Sequence, residues 1–501
     1  MAFKISYKMI KIVITKELRD NIYSYKFLIC LLLIPLLISI STLFFVQKQK
    51  INSSDYHLAV KEIRDQRSKI DIFSALVIKE IMEPKQLSPF SEGLERNFGD
   101  IYKISAADIP TLENSVKMTY ENPFLVDFYG FDLTSIFVLI MSIMAIFWGH
   151  NTISGEKEEG TLGLILSNPI PRNILILGKC ISGMITLLIP VLAGFLTSLL
   201  IILFSGVAAF GLEQWTMILI LFLAYLLFLL LCYLVAVFFS ILSKKSSIAL
   251  LGSMFFWIIF IILIPNLVPY IVDGIKPIPS KKFLRNQVSA YNDEFKEKIR
   301  EFEKNSGHKN FIINIRANFI PGNNLYSLTG NGIRVETTHQ PTLDYMKRFF
   351  KYVEPIRLSF IDKIERLYQD RMIKLKENRK LYEKIARLSP AFLLTNTAEI
   401  FCGTDLKSYE SFVESLNIHR RQIIDILKKK KIFESFQYFT SQFSNKNETP
   451  GIFSDLTPFK YKGLSISQQI NEGMDNLFIL FIEILFIFLI NIILFLRYDP
   501  R

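Results

Sequence analysis

The amino-acid sequence predicts an all-α polytopic membrane protein, with six transmembrane helices and a mainly helical extracytoplasmic domain carrying a few short strands. Three observations carry that prediction. Half of the 501 residues are apolar, 44 of them Phe, and the mean hydropathy is +0.32 although 21% of the side chains are charged. A bilayer core of about 30 Å is crossed by roughly 20 apolar residues in a helix rising about 1.5 Å per residue, and six windows meet that length. The Lys and Arg groups before the first window and after the second, fourth and sixth fall on one side if every window crosses.

Residues 1–26 come first. Ile10, Val13, Ile14, Leu18, Ile22 and Tyr25 recur at steps of three and four, with Lys11, Lys16, Glu17, Arg19 and Asp20 between them. That pattern predicts an amphipathic interfacial helix leading into the membrane. The first span, 27–46, follows a long basic lead and precedes no small-x-small cleavage pattern, so it reads as a retained signal anchor. The remaining spans are 133–150, 174–206, 215–242, 247–272 and 477–496. Lys4, Lys8, Lys11, Lys16, Arg19 and Lys26 precede the first span, and Lys157 and Arg172 follow the second. Lys244 and Lys245 follow the fourth, and Arg497 and Arg501 the sixth. The positive-inside rule then makes both termini, the 151–173 loop and the 497–501 tail cytoplasmic. Residues 47–131 and 273–475 are left on the outer side.

The first outer segment predicts a helix near Tyr56–Met82 and then turn-rich chain around Pro84, Ser88-Pro89 and Gly93. In the second, Phe283–Lys304 reads as a charged amphipathic helix. A longer helix starts at Glu354-Pro355, where Pro suits the first helical position, and runs to Ser389. Met346, Val353, Phe360, Leu367, Leu381 and Leu388 lie on one seven-residue line interrupted by Lys374. The line fits a coiled-coil-like stalk and equally an amphipathic helix in a compact domain. Phe311–Arg316 and Gly332–Thr337 are candidate strands around Pro321-Gly322-Asn323-Asn324, and Asp405–Lys431 is a third helix.

Most of the net charge of +12 sits in this second outer domain. It suits anionic partners such as lipid headgroups or cell-wall polymers, and it equally fits a Lys- and Ile-rich composition bias. No nucleic-acid partner is expected. Of Cys30, Cys180, Cys232 and Cys402, three fall in or beside spans, so no disulfide is expected to staple the outer domain. Five histidines with no Cys/His cluster at ligand spacing predict no metal site.

Pro35, Pro190 and Pro265 interrupt three spans, and Gly194-x-x-x-Ser198 offers a small-residue face for close helix packing. Two intramembrane polar candidates stand in the sixth span. Glu483 is expected to be functional or to reach the outer headgroup level, and Asn491 to hydrogen-bond across a subunit interface.

No phosphate-binding loop is present: Gly178-Lys179-Cys180 lacks both the earlier Gly and the hydroxyl. Gly-x-Ser-x-Gly and His-Glu-x-x-His are also missing. The chain is therefore not expected to be an enzyme by itself. The stretch from Asn151 to Arg172 is the most specific in the sequence. Ser154-Gly155-Glu156-Lys157-Glu158-Glu159-Gly160-Thr161-Leu162, then Leu164-Ile165-Leu166-Ser167-Asn168-Pro169-Ile170-Pro171-Arg172, and Leu177-Gly178-Lys179 resemble the loop of ABC-2 type permeases, the transmembrane subunits of ATP-binding-cassette transporters. The six-span plan, the interfacial helix and the large insertion between spans five and six resemble the same family. So do Ile109–Leu133, ending in Phe128-Tyr129-Gly130-Phe131-Asp132, and Leu388-Ser389-Pro390 with Ala398–Asp405.

The resemblance implies an exporter-type fold with a coupling helix that seats in a separate ATPase. The coupling residues it implies are Gly155, Glu156, Glu158, Glu159, Gly160, Thr161, Leu162, Leu164, Ile165, Ser167, Pro169 and Arg172. It further implies two copies of the ATPase, which would hold ATP and Mg, a second permease either identical or related, and a bacterial cytoplasmic membrane. Export is the leading expectation. The alternative is ATP-driven mechanical transmission through residues 273–475 to an envelope protein, and a scaffold or sensor without an ATPase is a third.

Overall fold

The computed structural model describes residues 2–68, 77–93, 101–105, 113–115, 132–167, 170–206, 210–306, 325–329, 332–336, 340–430, 459, 461 and 463–498. Among them, six helices are long and apolar enough to cross a membrane. Helix α1 (Ala2–Ile22) breaks at Tyr23-Ser24 into α2 (Tyr25–Ser68). Helix α3 comprises Leu133–Ile136, a π-helical turn at Phe137–Met141 and Ser142–Gly149. The loop helices α4 (Ser154–Glu158) and α5 (Thr161–Ser167) lead to α6 (Arg172–Ser205) and α7 (Leu212–Leu242). Helix α8 (Ser246–Ile275) carries a second π-helical turn at Ile258–Leu263, and α13 (Ile466–Arg497) is the sixth span.

Helix α7 is the axis of the bundle. Ala224, Tyr225, Phe228, Ala236 and Val237 are completely buried, and α3, α8 and α13 pack around them. Lipid is as apolar as these side chains, so packing and interhelical hydrogen bonds hold such helices together. Thr42 Oγ1 donates to Ser198 Oγ at 2.8 Å, Trp257 Nε1 to Ser142 Oγ at 2.7 Å, and Asn491 Nδ2 to the Leu234 carbonyl at 2.9 Å. Gly194 packs against Ile38 and the Pro35 backbone, so the Gly194/Ser198 face is the contact between α2 and α6. Asn491, completely buried, thus makes its amide hydrogen bond within the chain.

Beyond the bundle, at its domain end, β1 (Val77–Ile81), β2 (Ile101–Ser105) and β3 (Glu113–Ser115) form an antiparallel sheet, with Val77 opposite Ser105 and Ile101 opposite Ser115. Helices α9 (Lys281–Asn305), α10 (Gln340–Ala386), α11 (Pro390–Cys402) and α12 (Leu406–Lys429) follow, with a hairpin of β4 (Leu325–Thr329) and β5 (Gly332–Glu336) between α9 and α10. Capping side chains set several starts. Ser389 accepts from the Phe392 N–H, Asp405 from those of Lys407 and Ser408, and Ser465 forms a capping box with Gln468.

Several local expectations differ. The helix read near Tyr56–Met82 begins as the tail of α2, which runs on from the first span and is described as far as Ser68. Val77–Ile81 is strand. Helix α10 starts at Gln340 and passes through Pro355. An interior Pro costs about 3 kcal/mol, and the turn before it is packed on α9 through Phe302 against Tyr352 (4.4 Å) and Phe349 (5.8 Å). The seven-residue line is not one seam. Val353 and Phe360 are buried but Leu388 is 61% exposed, and the Met346 side chain lies outside the described residues. The buried stripe instead follows Tyr345, Phe349, Val353, Phe360 and Ile364 toward α9, while Leu381, Tyr382, Ile385 and Ala386 pack on Val268 and Val272 of α8. The candidate strand at Gly332–Thr337 forms as β5, paired with β4, whereas Phe311–Arg316 lies outside the described residues.

The largest departure concerns α11. Residues 273–475 read as one external block, yet α11 packs between α7, α13 and the middle of α8. Ser389 Oγ donates to the Phe260 carbonyl, about 21 Å along α8 from Ser246. Pro390 lines a small apolar cavity with Cys232, Val235, Trp257 and Ile261. Helix α10 therefore descends along α8, turns at Leu388-Ser389, and α11 climbs back inside the bundle. Thirteen residues are too few for a search for 20-residue spans to find.

Candidate coupling site

The loop between α3 and α6 opposes the domain end. Its opening is fixed first: the Ile153 and Ser154 N–H groups, both completely buried, donate to Ser240 Oγ at 2.9 and 2.8 Å. Ser154 Oγ donates back to the His150 carbonyl at 2.6 Å. Gly155 lies flat against the Asn151 side chain. Helix α4 then places three consecutive charges in three different directions.

Glu156 Oε1 meets Lys179 Nζ of α6 at 2.6 Å, and Glu17 Oε1 of α1 meets the same Nζ at 3.0 Å. The Lys179 side chain is 2% exposed, so one buried cation ties α1, the loop and α6 together. Lys157 Nζ donates to the carbonyls of Ser243 (3.1 Å), Ser240 (3.4 Å) and Ile241 at the close of α7, and lies 4.4 Å from the Tyr498 ring centroid. The last carbonyls of a helix have no intrahelical partner and carry the negative end of its dipole, so a cation suits them. Glu158 Oε2 accepts from the Ser246 N–H at 3.0 Å, the matching anion at the start of α8.

Gly160 turns the chain with φ +72°, a left-handed conformation in which a side chain is strained. Helix α5 then buries Leu162 and presents Leu164, 70% exposed, with Gly163 and Ser167 exposed beside it. Ile165 is half-buried on the core, and Thr161 Oγ1 donates to the Glu156 carbonyl at 3.3 Å. Arg172 Nη1 donates to the carbonyls of Leu496 (3.0 Å) and Tyr498 (2.8 Å), closing α13 as Lys157 closes α7.

The residues named from the sequence therefore divide. Glu159, Gly160, Leu164 and Ser167 face outward, Glu158 is exposed as well while one of its oxygens holds the Ser246 N–H, and Gly155, Glu156, Thr161, Leu162 and Arg172 are turned to the chain itself. Pro169 lies outside the described residues. Sequence reasoning missed Glu17, Lys157, Lys179, Ser240 and Tyr498. One carried a signal: Lys179 interrupts the apolar start of α6.

Glu483 sits near the middle of α13, half-buried, with Oε2 shielded and without a hydrogen bond among the described residues. All four cysteines are unbridged thiols and are buried. Among the described residues no three His, Cys, Asp or Glu side chains gather to hold a metal.

A family model described as ABC-2 family transporter protein matches residues 11–500. Over 71 residues the chain is 38% identical to the probable ABC transporter permease protein NosY of Pseudomonas aeruginosa strain PAO1. That stretch is 14% of this chain, and the chain spans about a quarter, 26%, of the length of this curated relative. Matched along nearly its whole length and built round six apolar spans, this multi-pass membrane protein belongs to the ABC-2 family of transporter proteins.

Proposed function

We propose that the chain is the permease subunit of an ABC transporter in a bacterial cytoplasmic membrane, moved by a separate ATPase that seats on α5. The observation that carries the reading is the division of the loop. An exposed apolar and acidic tip, Leu164 with Glu159, stands on a base bonded to α1, α6, α7, α8 and α13. A tip built this way is displaced with five helices, as a lever for a partner requires. ATP and Mg belong to that partner, of which two copies serve two permease subunits, identical or related. Both termini are cytoplasmic in this arrangement, and the driven process is export.

A second reading has support of its own. Helix α10 is about 70 Å long and is rooted in the bundle through α8 and the turn into α11, so motion of the spans reaches the extracytoplasmic domain directly. Mechanical work on an envelope partner then needs no cargo.

Co-purification tests the docking face. Leu164→Asp and Glu159→Lys are expected to reduce recovery of the ATPase subunit with the tagged permease at least tenfold, with the permease still folded. Undiminished recovery with both variants sinks the assignment. Reconstituted complexes that hydrolyse ATP, move no lipid, peptide or drug, and retain an envelope protein through residues 273–475 favour the mechanical reading.

A further inference from the structure

Helices α7 and α13 differ from the other four spans in one respect. Pro35 and Pro190 stand inside α2 and α6, and α3 and α8 carry π-helical turns. Helices α7 and α13, of 31 and 32 residues, contain neither. Prolines and π-turns are where helices bend, so these two, each about 47 Å long, are the stiff members. They run in the same direction side by side, and the buried Asn491–Leu234 hydrogen bond pins one against the other.

Both stiff helices end on the loop, each closed by a cation from it: α7 by Lys157 and α13 by Arg172, with the Tyr498 ring of α13 stacked against Lys157. At the domain end α13 is fastened just as directly. Gly473 lies under the Phe401 ring of α11, Asn476, 1% exposed, donates to Asn396 Oδ1 at 2.8 Å, and Glu472 pairs with Lys407 of α12. Helix α12 in turn holds α10 through Arg420–Glu365 at 2.5 Å and Glu410–Arg379 at 3.3 Å. A continuous set of polar and packed contacts therefore runs from the loop along α13 to the extramembrane helices.

We propose that α13 is the rod that carries displacement of the loop to the domain end, with Arg172 and Asn476 as the positioning residues at its two ends. The inference rests on the permease reading, in which an ATPase moves the loop. Arg172 then serves transmission, not docking. Contiguous contacts alone do not establish coupling, so the test reads movement.

The experiment uses the full permease–ATPase complex in nanodiscs, with spin labels at Leu212→Cys and Ile418→Cys. Both positions are exposed and the four native cysteines are buried. The distance between labels is compared without nucleotide and with ATP trapped. The unmodified complex is expected to show a nucleotide-dependent shift. Asn476→Leu is expected to retain ATP hydrolysis and lose at least half of the shift. Arg172→Ala is expected to lose a similar part, and Arg172→Lys, which can still donate to both carbonyls, to restore it. The double variant is expected to lose no more than either single one, because both cuts lie on one path. A full shift in Asn476→Leu overturns the inference even if Arg172→Ala fails to assemble, and so does an unmodified complex that binds its ATPase and shows no shift. A chain that binds no ATPase at all sinks the permease reading instead.

Discussion

At the scale of single residues, Lys179 shows how the loop is held. Its ammonium is removed from water and answered by two carboxylates from distant parts of the chain, Glu17 and Glu156. Removing one partner of a buried ion pair strands the other charge, at about 3–5 kcal/mol, whereas replacing the whole set with apolar groups is far milder. Lys179→Met is therefore expected to lower the melting temperature of the detergent-purified protein sharply. Adding Glu17→Gln and Glu156→Gln is expected to recover most of the loss. Thermal unfolding of the single and triple variants decides it: equal melting temperatures for the two mean that the triad contributes nothing through charge. Glu156 and Glu159 look alike in the sequence, but one closes this triad and the other faces solvent. Which one does which depends on where α1 and α6 end in space.

At the scale of elements, α11 is the piece whose place the sequence concealed. Its composition is apolar and its cap is legible in Ser389-Pro390, with the Ser side chain accepting the Phe392 N–H. Nothing local says that it turns back into the bundle, since a helix of 13 residues packs equally well in an external domain. Its contact with α13 is close: a Cβ at Gly473 would stand 2.5 Å from the Phe401 ring. Gly473→Leu is expected to separate the two helices at a cost of about 1–3 kcal/mol, read as a lower melting temperature. Gly473→Leu with Phe401→Ala is expected to regain part of it. A Gly473→Leu protein as stable as the original would show that the two helices can part freely.

At the scale of the whole molecule, segments far apart in sequence meet where the bundle joins the domain end. Gly93 lies on Glu399 and Thr404, Thr404 Oγ1 donates to the Ser91 carbonyl, and Asp132 and Asp405 stand close by in the field of Glu399. Burial, and then Asp405 and Asp132, push the Glu399 carboxyl up to about 8. Its folded value thus lies above the unfolded value of about 4.3. The stability that comes from taking up this proton is complete below about pH 4 and is lost as pH rises through 8. The melting temperature is expected to fall between pH 5 and 9, and Glu399→Gln to flatten that fall. An unchanged slope in the variant removes Glu399 from the account.

The sequence by itself determined the class of the protein, the six spans, the start of most helices and the loop proposed as the docking stretch. Hydrophobic length, capping chemistry and a charged loop between apolar runs are local properties, readable one segment at a time. Only the tertiary structure decided that α11 returns into the bundle, that Asn491 bonds within its own chain, and that most charges of the loop brace helices while Leu164 and Glu159 face out. Those outcomes depend on which helix ends come together. An unpaired carbonyl or a buried charge takes whichever partner the packed bundle brings within about 3 Å, and no spacing along the chain specifies that partner.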